Sequence, residues 1–446
     1  MRPIRAPWAI LGALASVFIL LTLPAKPTLA LPSYARQTGA ACNQCHIGSF
    51  GPQLTEYGRQ FKLNGFVWGD KISPISAMAL GSFSHTAKDQ SPAPDRFHQN
   101  DNAALDQLSL FYGGRIYDNV GAFVQGTYDG VGETLGLDNA DIRYADQGSL
   151  WGEDLVYGLS LNNNPTVEDI WNSTPAWGYP FAGSPLAPTP AAAALIDGGL
   201  AQQVVGASTY ALWNELLYVD LGGYAELPEE TQSGLGVDPT GEQQIDGVAP
   251  YWRLALQQQL GDHYFSLGTY GLFANIDPGR VSSAGSDQYT DVAFDTSYQF
   301  IPSSDHIITA DATYIHEFQN LDASKRLGNA THGSDQLNVF RINTSYTYAD
   351  TVTGRVGFFD TWGSKDMGVY GGDSVTGSPD SDGFVFELDY TPFGKEDSWS
   401  QPYFNIRFGL QYVLYDKFNG SQSNYDGAGT NASDNNTLYF FTWFVF

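Results

Sequence analysis

Charge is scarce in this sequence, and positive charge is scarcer still. Charged residues make up 15% of the chain, against about 25% in soluble domains. Only 21 Lys and Arg face 48 Asp and Glu, a formal charge of −27. A chain this negative is repelled by phosphate backbones, which excludes nucleic-acid binding. Beyond residue 30 no apolar run approaches the about 20 residues of a transmembrane helix, so any membrane role falls to strands. Cysteine occurs twice and methionine three times. What is plentiful is Tyr (26), Phe (27) and Gly (49), with a mean hydropathy of −0.23 that fits neither a helical membrane protein nor a disordered one. The length would admit two or three ordinary domains at about 150 residues each. The composition instead favours one large all-β body.

The first thirty residues read as a leader. Arg2 and Arg5 precede an apolar stretch from Trp8 to Leu23, and Thr28-Leu29-Ala30 supplies the small residue before a cleavage site. A run of about 16 residues followed by Pro24 and Pro27 is short for a membrane anchor, so residues 1–30 are expected to be a secretory signal peptide. Its removal takes three basic residues and no acids and leaves −30.

From Lys71 onward polarity alternates. Leu155, Tyr157, Leu159 and Leu161 alternate with Gly158, Ser160 and Asn162; Phe404, Ile406, Phe408, Leu410 and Tyr412 alternate with Asn405, Arg407 and Gln411. Sixteen such runs are present, centred near Ala79, Tyr112, Val124, Asp141, Leu159, Gly206, Leu221, Leu256, Tyr270, Thr296, Thr313, Asn343, Val356, Phe386, Phe408 and Phe441. A sandwich gives the same alternation with shorter strands; the connections decide. They are short after even-numbered runs, as at Asp118-Asn119 and Gly261-Asp262, and mostly long after odd ones, as at 87–104, 163–202 and 363–381. Short turns on one rim and long loops on the other, with an aromatic last strand ending in Phe446, predict an antiparallel transmembrane β-barrel of about sixteen strands over 71–446. The proline- and tryptophan-rich loop 163–202 is too apolar for a free surface; it either folds into the lumen or caps the barrel.

Cys42-Asn43-Gln44-Cys45-His46 is C-x-x-C-H, the attachment sequence for c-type haem, and it uses both cysteines of an exported chain. The thiols add to the haem vinyl groups and His46 provides the proximal iron ligand. A disulfide would leave His46 without a purpose, and the βαβ context of a redox dithiol is missing. Pro52 to Asn64 reads as a short helix stopped by Gly65, with Leu54, Tyr57, Gly58 and Phe61 on one face, against either a porphyrin or the barrel wall. Residues 31–70 are too few to enclose a haem alone. For the distal iron ligand Met78 is the nearest methionine, with His85 and His98 next; an open position is the remaining choice.

Leu31-Pro32-Ser33-Tyr34-Ala35-Arg36-Gln37-Thr38-Gly39, the CNQCH motif, Pro52, Leu54 and the run from Gly58 to Phe66 together resemble the fused outer-membrane cytochrome–porins of iron-oxidising bacteria. The resemblance, specific over about residues 31–66, implies a monohaem cytochrome segment joined to a barrel. It also implies outer-membrane location, electrons taken from extracellular Fe(II), and a periplasmic cytochrome or copper protein as acceptor. Residues 31–70 carry +1, so the barrel carries −31. Near neutral pH such a barrel concentrates cations at its mouth, through residues such as Asp366, Asp373, Asp380 and Asp382. The alternative function is a solute-diffusing porin whose haem segment is a plug or sensor. Arg115, Arg253, Arg341, Arg355 and Arg407, opposite Asp291, Asp295, Asp311, Glu387 and Asp389, either line a solute path or hold that plug by ion pairs. No acid–base constellation marks a hydrolase.

Overall fold

A strand of alternating polarity has two chemically different faces, and all sixteen runs fold as such strands. The computed structural model describes residues 32–70, 74–237, 244–401 and 403–446. The leader 1–30 and the boundary residue Lys71 lie outside the described residues. Three short helices come first: α1 Pro32–Thr38, α2 Cys42–Cys45 and α3 Glu56–Leu63. The strands follow as β1 Ile75–Thr86, β2 Asn102–Tyr117, β3 Val120–Asp129, β4 Thr134–Leu150, β5 Glu153–Asn162, β6 Val204–Trp213, β7 Leu217–Glu226 and β8 Val248–Leu260. The second half continues with β9 His263–Asp277, β10 Asp287–Ser303, β11 His306–Asn320, β12 Ser334–Tyr348, β13 Val352–Gly363, β14 Ser381–Tyr390, β15 Asn405–Lys417 and β16 Thr437–Val445. Each pairs antiparallel with the next. β1 pairs with β16 from Met78↔Val445 to Thr86↔Thr437, so the sheet closes and no edge is left open. A two-residue strand, Gln244–Ile245, extends the sheet beside the end of β9.

The two faces sort as lipid and lumen require. Leu108, Leu161, Leu221, Phe294, Phe386 and Leu410 point outward and are exposed, while Arg143, Asp220, Arg253, Asp295, Arg355, Asp389 and Arg407 are buried inside. One rim carries the turns at 118–119, 151–152, 261–262 and 304–305, and near it Tyr117, Trp151, Tyr348, Tyr390 and Trp399 are exposed, the aromatic girdle of a membrane interface. The connection between β14 and β15, 391–404, departs from the short-turn rule for a local reason: it grips the N-terminal segment. Gln401 Oε1 accepts from the Cys42 N–H at 3.1 Å, Glu396 Oε1 from Gln44 Nε2 at 3.3 Å, and the Gly394 carbonyl from Ser49 Oγ at 2.5 Å.

The N-terminal segment sits inside the turn-rim half of the barrel. Arg407 Nη2 donates to the Phe50 carbonyl (2.9 Å), Arg355 Nη1 to Gln53 Oε1 (2.5 Å), and Tyr210 OH to the Leu63 carbonyl (2.8 Å). Arg59 donates to Gln299 Oε1 at 2.8 Å, with its guanidinium 3.6 Å from the centre of the Tyr264 ring.

The long loop 163–203 also turns inward and lies over that segment. Arg253 reaches Asp169 of the loop at 3.1 Å and wall residue Asp295 through two bonds of 2.9 Å; Arg341 holds Asp197 of the loop at 2.9 and 2.5 Å. The N–H groups of Leu195 and Ile196 donate to Glu317 (2.6 Å) and Asp291 (2.8 Å). These lumenal charges therefore hold inserts in place.

Removing one partner from a buried charge network strands the others, a cost of about 3–5 kcal/mol. Arg253→Met leaves Asp169 and Asp295 uncompensated, so loop 163–203 should undock and become cleavable by added protease. The β-ladder does not involve this side chain, and heat-modifiable gel migration of the barrel should persist. A loop as protected as in the parent protein would show that the ion pairs are not what docks it.

Candidate functional site: a cavity beside the C-x-x-C-H turn

The C-x-x-C-H residues form one tight unit. The His46 N–H donates to the Cys42 carbonyl at 2.9 Å, closing the α2 turn, and His46 then pairs with Leu54 as a short antiparallel bridge. Gly48 (φ 65°) and Gly51 (φ 82°) take left-handed conformations that reverse the chain between those two residues. Thr55 caps α3 by accepting the Gly58 N–H at 3.3 Å. α3 then crosses the α2 turn so closely that a Cβ on Gly58 would fall 2.3 Å from the Cys45 carbonyl oxygen. Gly58 is thus required by backbone contact with Cys45 as well as lying on the cavity wall.

That wall borders a partly open cavity of about 550 Å³ lined by Cys42, Cys45, His46 and, from the inner face of β1, Met78. Ligand sites commonly span about 300–1,000 Å³ and are mostly apolar. Here Leu54, Gly58 and Phe61 supply one side, Phe111, Phe123 and Trp443 the barrel side, and Trp177 and Phe181 of the inward loop the cover. The expected α3 stripe is split. Leu54, Gly58 and Phe61 face the cavity, whereas Tyr57 turns away, half-exposed, with its ring 5.4 Å from Trp68. On its other side α3 buries Leu63 against Trp171, Tyr210 and Tyr218. The helix serves cavity and wall at once.

Met78 is buried on the lumenal parity of β1. His85, seven residues along the strand, is roughly 23 Å away at about 3.3 Å per residue. It is exposed and bonded to Asp101 at 2.7 Å, and His98 lies in the loop beyond; neither lines the cavity. His263 and His306 lie at the turn rim, bonded to Tyr298 (2.9 Å) and Tyr346 (2.8 Å).

Burial governs the chemistry. Desolvation pushes the Cys42 thiol up to about 11 and the Cys45 thiol up to about 12, where both stay protonated, and neither is in a disulfide. Redox dithiols need the opposite shift. Desolvation pushes His46 down to about 4, leaving a neutral imidazole, the form that binds metals. Its Nδ1 is buried with no hydrogen-bond partner. Lys62, also on the wall, donates to the Val167 carbonyl (2.8 Å) and Asn172 Oδ1 (2.7 Å), and burial lowers it to about 7. Two thiols, a neutral imidazole and a thioether around an aromatic-walled space fit a c-type haem.

The aromatic wall went unrecognised in the sequence. Its trace was present: Phe111 and Trp443 occupy lumenal parity, where an open channel would carry polar residues.

No protein-family model matches the chain, and no curated protein does. Solved porin-type barrels are similar to it: the outer membrane channel DcaP of Acinetobacter baumannii (11% identity, covering 83% of this chain and 96% of that one, TM-score 0.46) and the anion-selective porin from Comamonas acidovorans (11%, 83% and 98%, TM-score 0.45). OmpF of Salmonella typhi is a third (10%, 83% and 97%, TM-score 0.44).

Because the thiolate is the reactive form, the raised thiols set a pH window. In the folded, haem-free protein, alkylation of Cys42 and Cys45 by iodoacetamide should be slow at pH 7–9 and keep rising, about tenfold per pH unit, up to about pH 11. Rates that level off near pH 8.5 would mean that the thiols are solvated and the segment undocked.

Proposed function

We propose that the chain is an outer-membrane electron-transfer protein: a c-type haem tied to Cys42 and Cys45 and ligated by His46 and Met78 inside a porin-like barrel, with extracellular Fe(II) as donor and a periplasmic cytochrome or copper protein as acceptor. The observation that carries this reading is the convergence of those four side chains on one aromatic-walled cavity. Bound haem supplies one-electron redox chemistry. The chain would tether it through Cys42 and Cys45 of α2, offer the neutral imidazole of His46 and the thioether of Met78 as ligands, and line it with α3 and loop 163–203. Ligation by Met with His raises a haem potential, which suits an acceptor of electrons from a weak reductant. The resemblance of residues 31–66 to cytochrome–porins supports Fe(II) as that reductant, and the −31 barrel favours a small cation over neutral donors. In this reading the loop rim faces outside and the turn rim the periplasm, as in outer-membrane barrels. α2, held by the 391–404 connection, then lies at the acceptor's side.

The sixteen-stranded architecture favours a second reading, a solute-diffusing porin carrying the segment as a plug. Planar-bilayer conductance separates them, since steady ohmic channels belong to the porin alone.

Cys42→Ala or Cys45→Ala should abolish two-thioether haem attachment, with haem staining of the denatured protein lost or strongly reduced, while leaving a heat-modifiable barrel. Met78→Ala should give a high-spin spectrum and a lower potential. The haem protein in its oxidised form should be reduced by Fe²⁺ in stopped flow, more slowly as ionic strength rises through about 0.1 M, where the screening length is about 10 Å. Haem reduced by dithionite and left oxidised by Fe²⁺ would defeat the iron reading.

A further inference from the structure

The acidic loops were expected to act as a diffuse negative surface, but Asp366 does something else. It is buried, and its two oxygens accept the N–H groups of Thr331 (2.8 Å), His332 (2.7 Å), Gly368 (2.6 Å) and Val369 (3.2 Å). Burial alone would raise this carboxyl; those N–H groups instead hold it well below the usual carboxylate range. Loop 321–333 is thereby pinned to loop 364–380 at the loop rim. Asp380 and Asp382 lie beside Lys417 at 3.5 and 3.9 Å, which leaves Asp373 as the exposed acid of the four.

Next to Asp366, at the start of β12, Asp335 turns inward. Its side chain is 3% exposed. His332 Nδ1 lies 3.3 Å from Asp335 Oδ1 and 3.6 Å from Asp366 Oδ2. The other oxygen of Asp335, Oδ2, is buried without a hydrogen-bond donor. A buried carboxylate oxygen left unmatched loses its hydration without replacement, and a second carboxylate beside it adds repulsion. One ligand atom from each of the three residues lies within 4.8 Å of the others. A metal about 2.1 Å from each needs ligand atoms roughly 3–4 Å apart, a small contraction from that arrangement.

We propose that His332, Asp335 and Asp366 form a binding site for one divalent first-row transition-metal ion at the loop rim, separate from the C-x-x-C-H cavity. Two carboxylates alone would suit Mg²⁺, Ca²⁺ or Mn²⁺; an imidazole in the set shifts the preference toward Fe²⁺ or Zn²⁺, with Mn²⁺, which the carboxylates also suit, as a spectroscopically visible probe. The ion supplies the charge that Asp335 Oδ2 lacks and ties β12 to the 364–380 loop. The site does not depend on haem.

Mn²⁺ titration of the full-length protein, followed by loss of the free-ion EPR signal in 0.15 M salt to screen diffuse surface binding, tests this. One bound Mn²⁺ per chain is expected. Asp335→Asn and His332→Ala should each weaken it at least about tenfold, the scale on which even outer-shell partners act. Asp373→Asn should leave it unchanged. His332 is half-exposed, so its variant should keep heat-modifiable migration, and Co²⁺ bound to the parent should lose its nitrogen-ligand absorption in that variant. Binding that is only weak, multiple and salt-sensitive, or that is indifferent to Asp335→Asn and His332→Ala, overturns the site.

Discussion

Four guanidinium groups buried in the lumen, those of Arg143, Arg253, Arg355 and Arg407, are the constraint on which the interior depends. A sixteen-stranded barrel is wide enough to hold a water-filled channel, in which such groups would simply be solvated. Buried as they are, each needs partners for several donors at once, because the planar fork carries five N–H groups. Each finds a carboxylate on the wall and an acceptor on an insert. Arg407 joins Asp389 (3.6 Å) to the Phe50 carbonyl; Arg355 joins Glu387 (3.5 Å) and Asp389 (3.4 Å) to Gln53. Arg143 joins Asp141 (2.8 Å) to the carbonyls of Lys62 and Glu168, and Arg253 joins Asp295 to Asp169. Wall, N-terminal segment and inward loop thus share one polar network.

The network is lopsided, and the cavity lies where it is thin. Its arginines stand on β4, β8, β13 and β15. The lumenal faces of β1 and β16 carry Met78, Leu80, Tyr439, Phe441 and Trp443, and Phe111 and Phe123 continue the apolar surface onto β2 and β3. Polar pairing fixes the inserts from one side and leaves a mostly apolar, aromatic-lined space on the other.

The barrel was legible in the sequence because period-2 alternation and connection length are both local properties. All sixteen expected centres fall inside strands, from Ala79 in β1 to Phe441 in β16. C-x-x-C-H was legible for the same reason. The rest depended on contacts between distant segments. That loop 163–203 turns inward is decided by Arg253 and Arg341, far along the chain from Asp169 and Asp197. The long 391–404 connection makes sense only once Gln401 and Gly394 are seen against Cys42 and Ser49. Asp366 reads as one more surface acid until four backbone N–H groups are found around it. Tyr57 shares a helical face with Phe61 by spacing, yet its ring packs against Trp68.

The seam of the barrel bears on the order of assembly. Met78 belongs to the first strand, and Trp443 and Val445 to the last, so the wall on that side of the cavity exists only after the ends of the sheet have met. A prosthetic group joined to Cys42 and Cys45 while the chain is still open is then walled in by the same step that completes the barrel. If Cys42 and Cys45 carry haem as proposed, attachment before barrel closure would set the group against that wall as the wall forms.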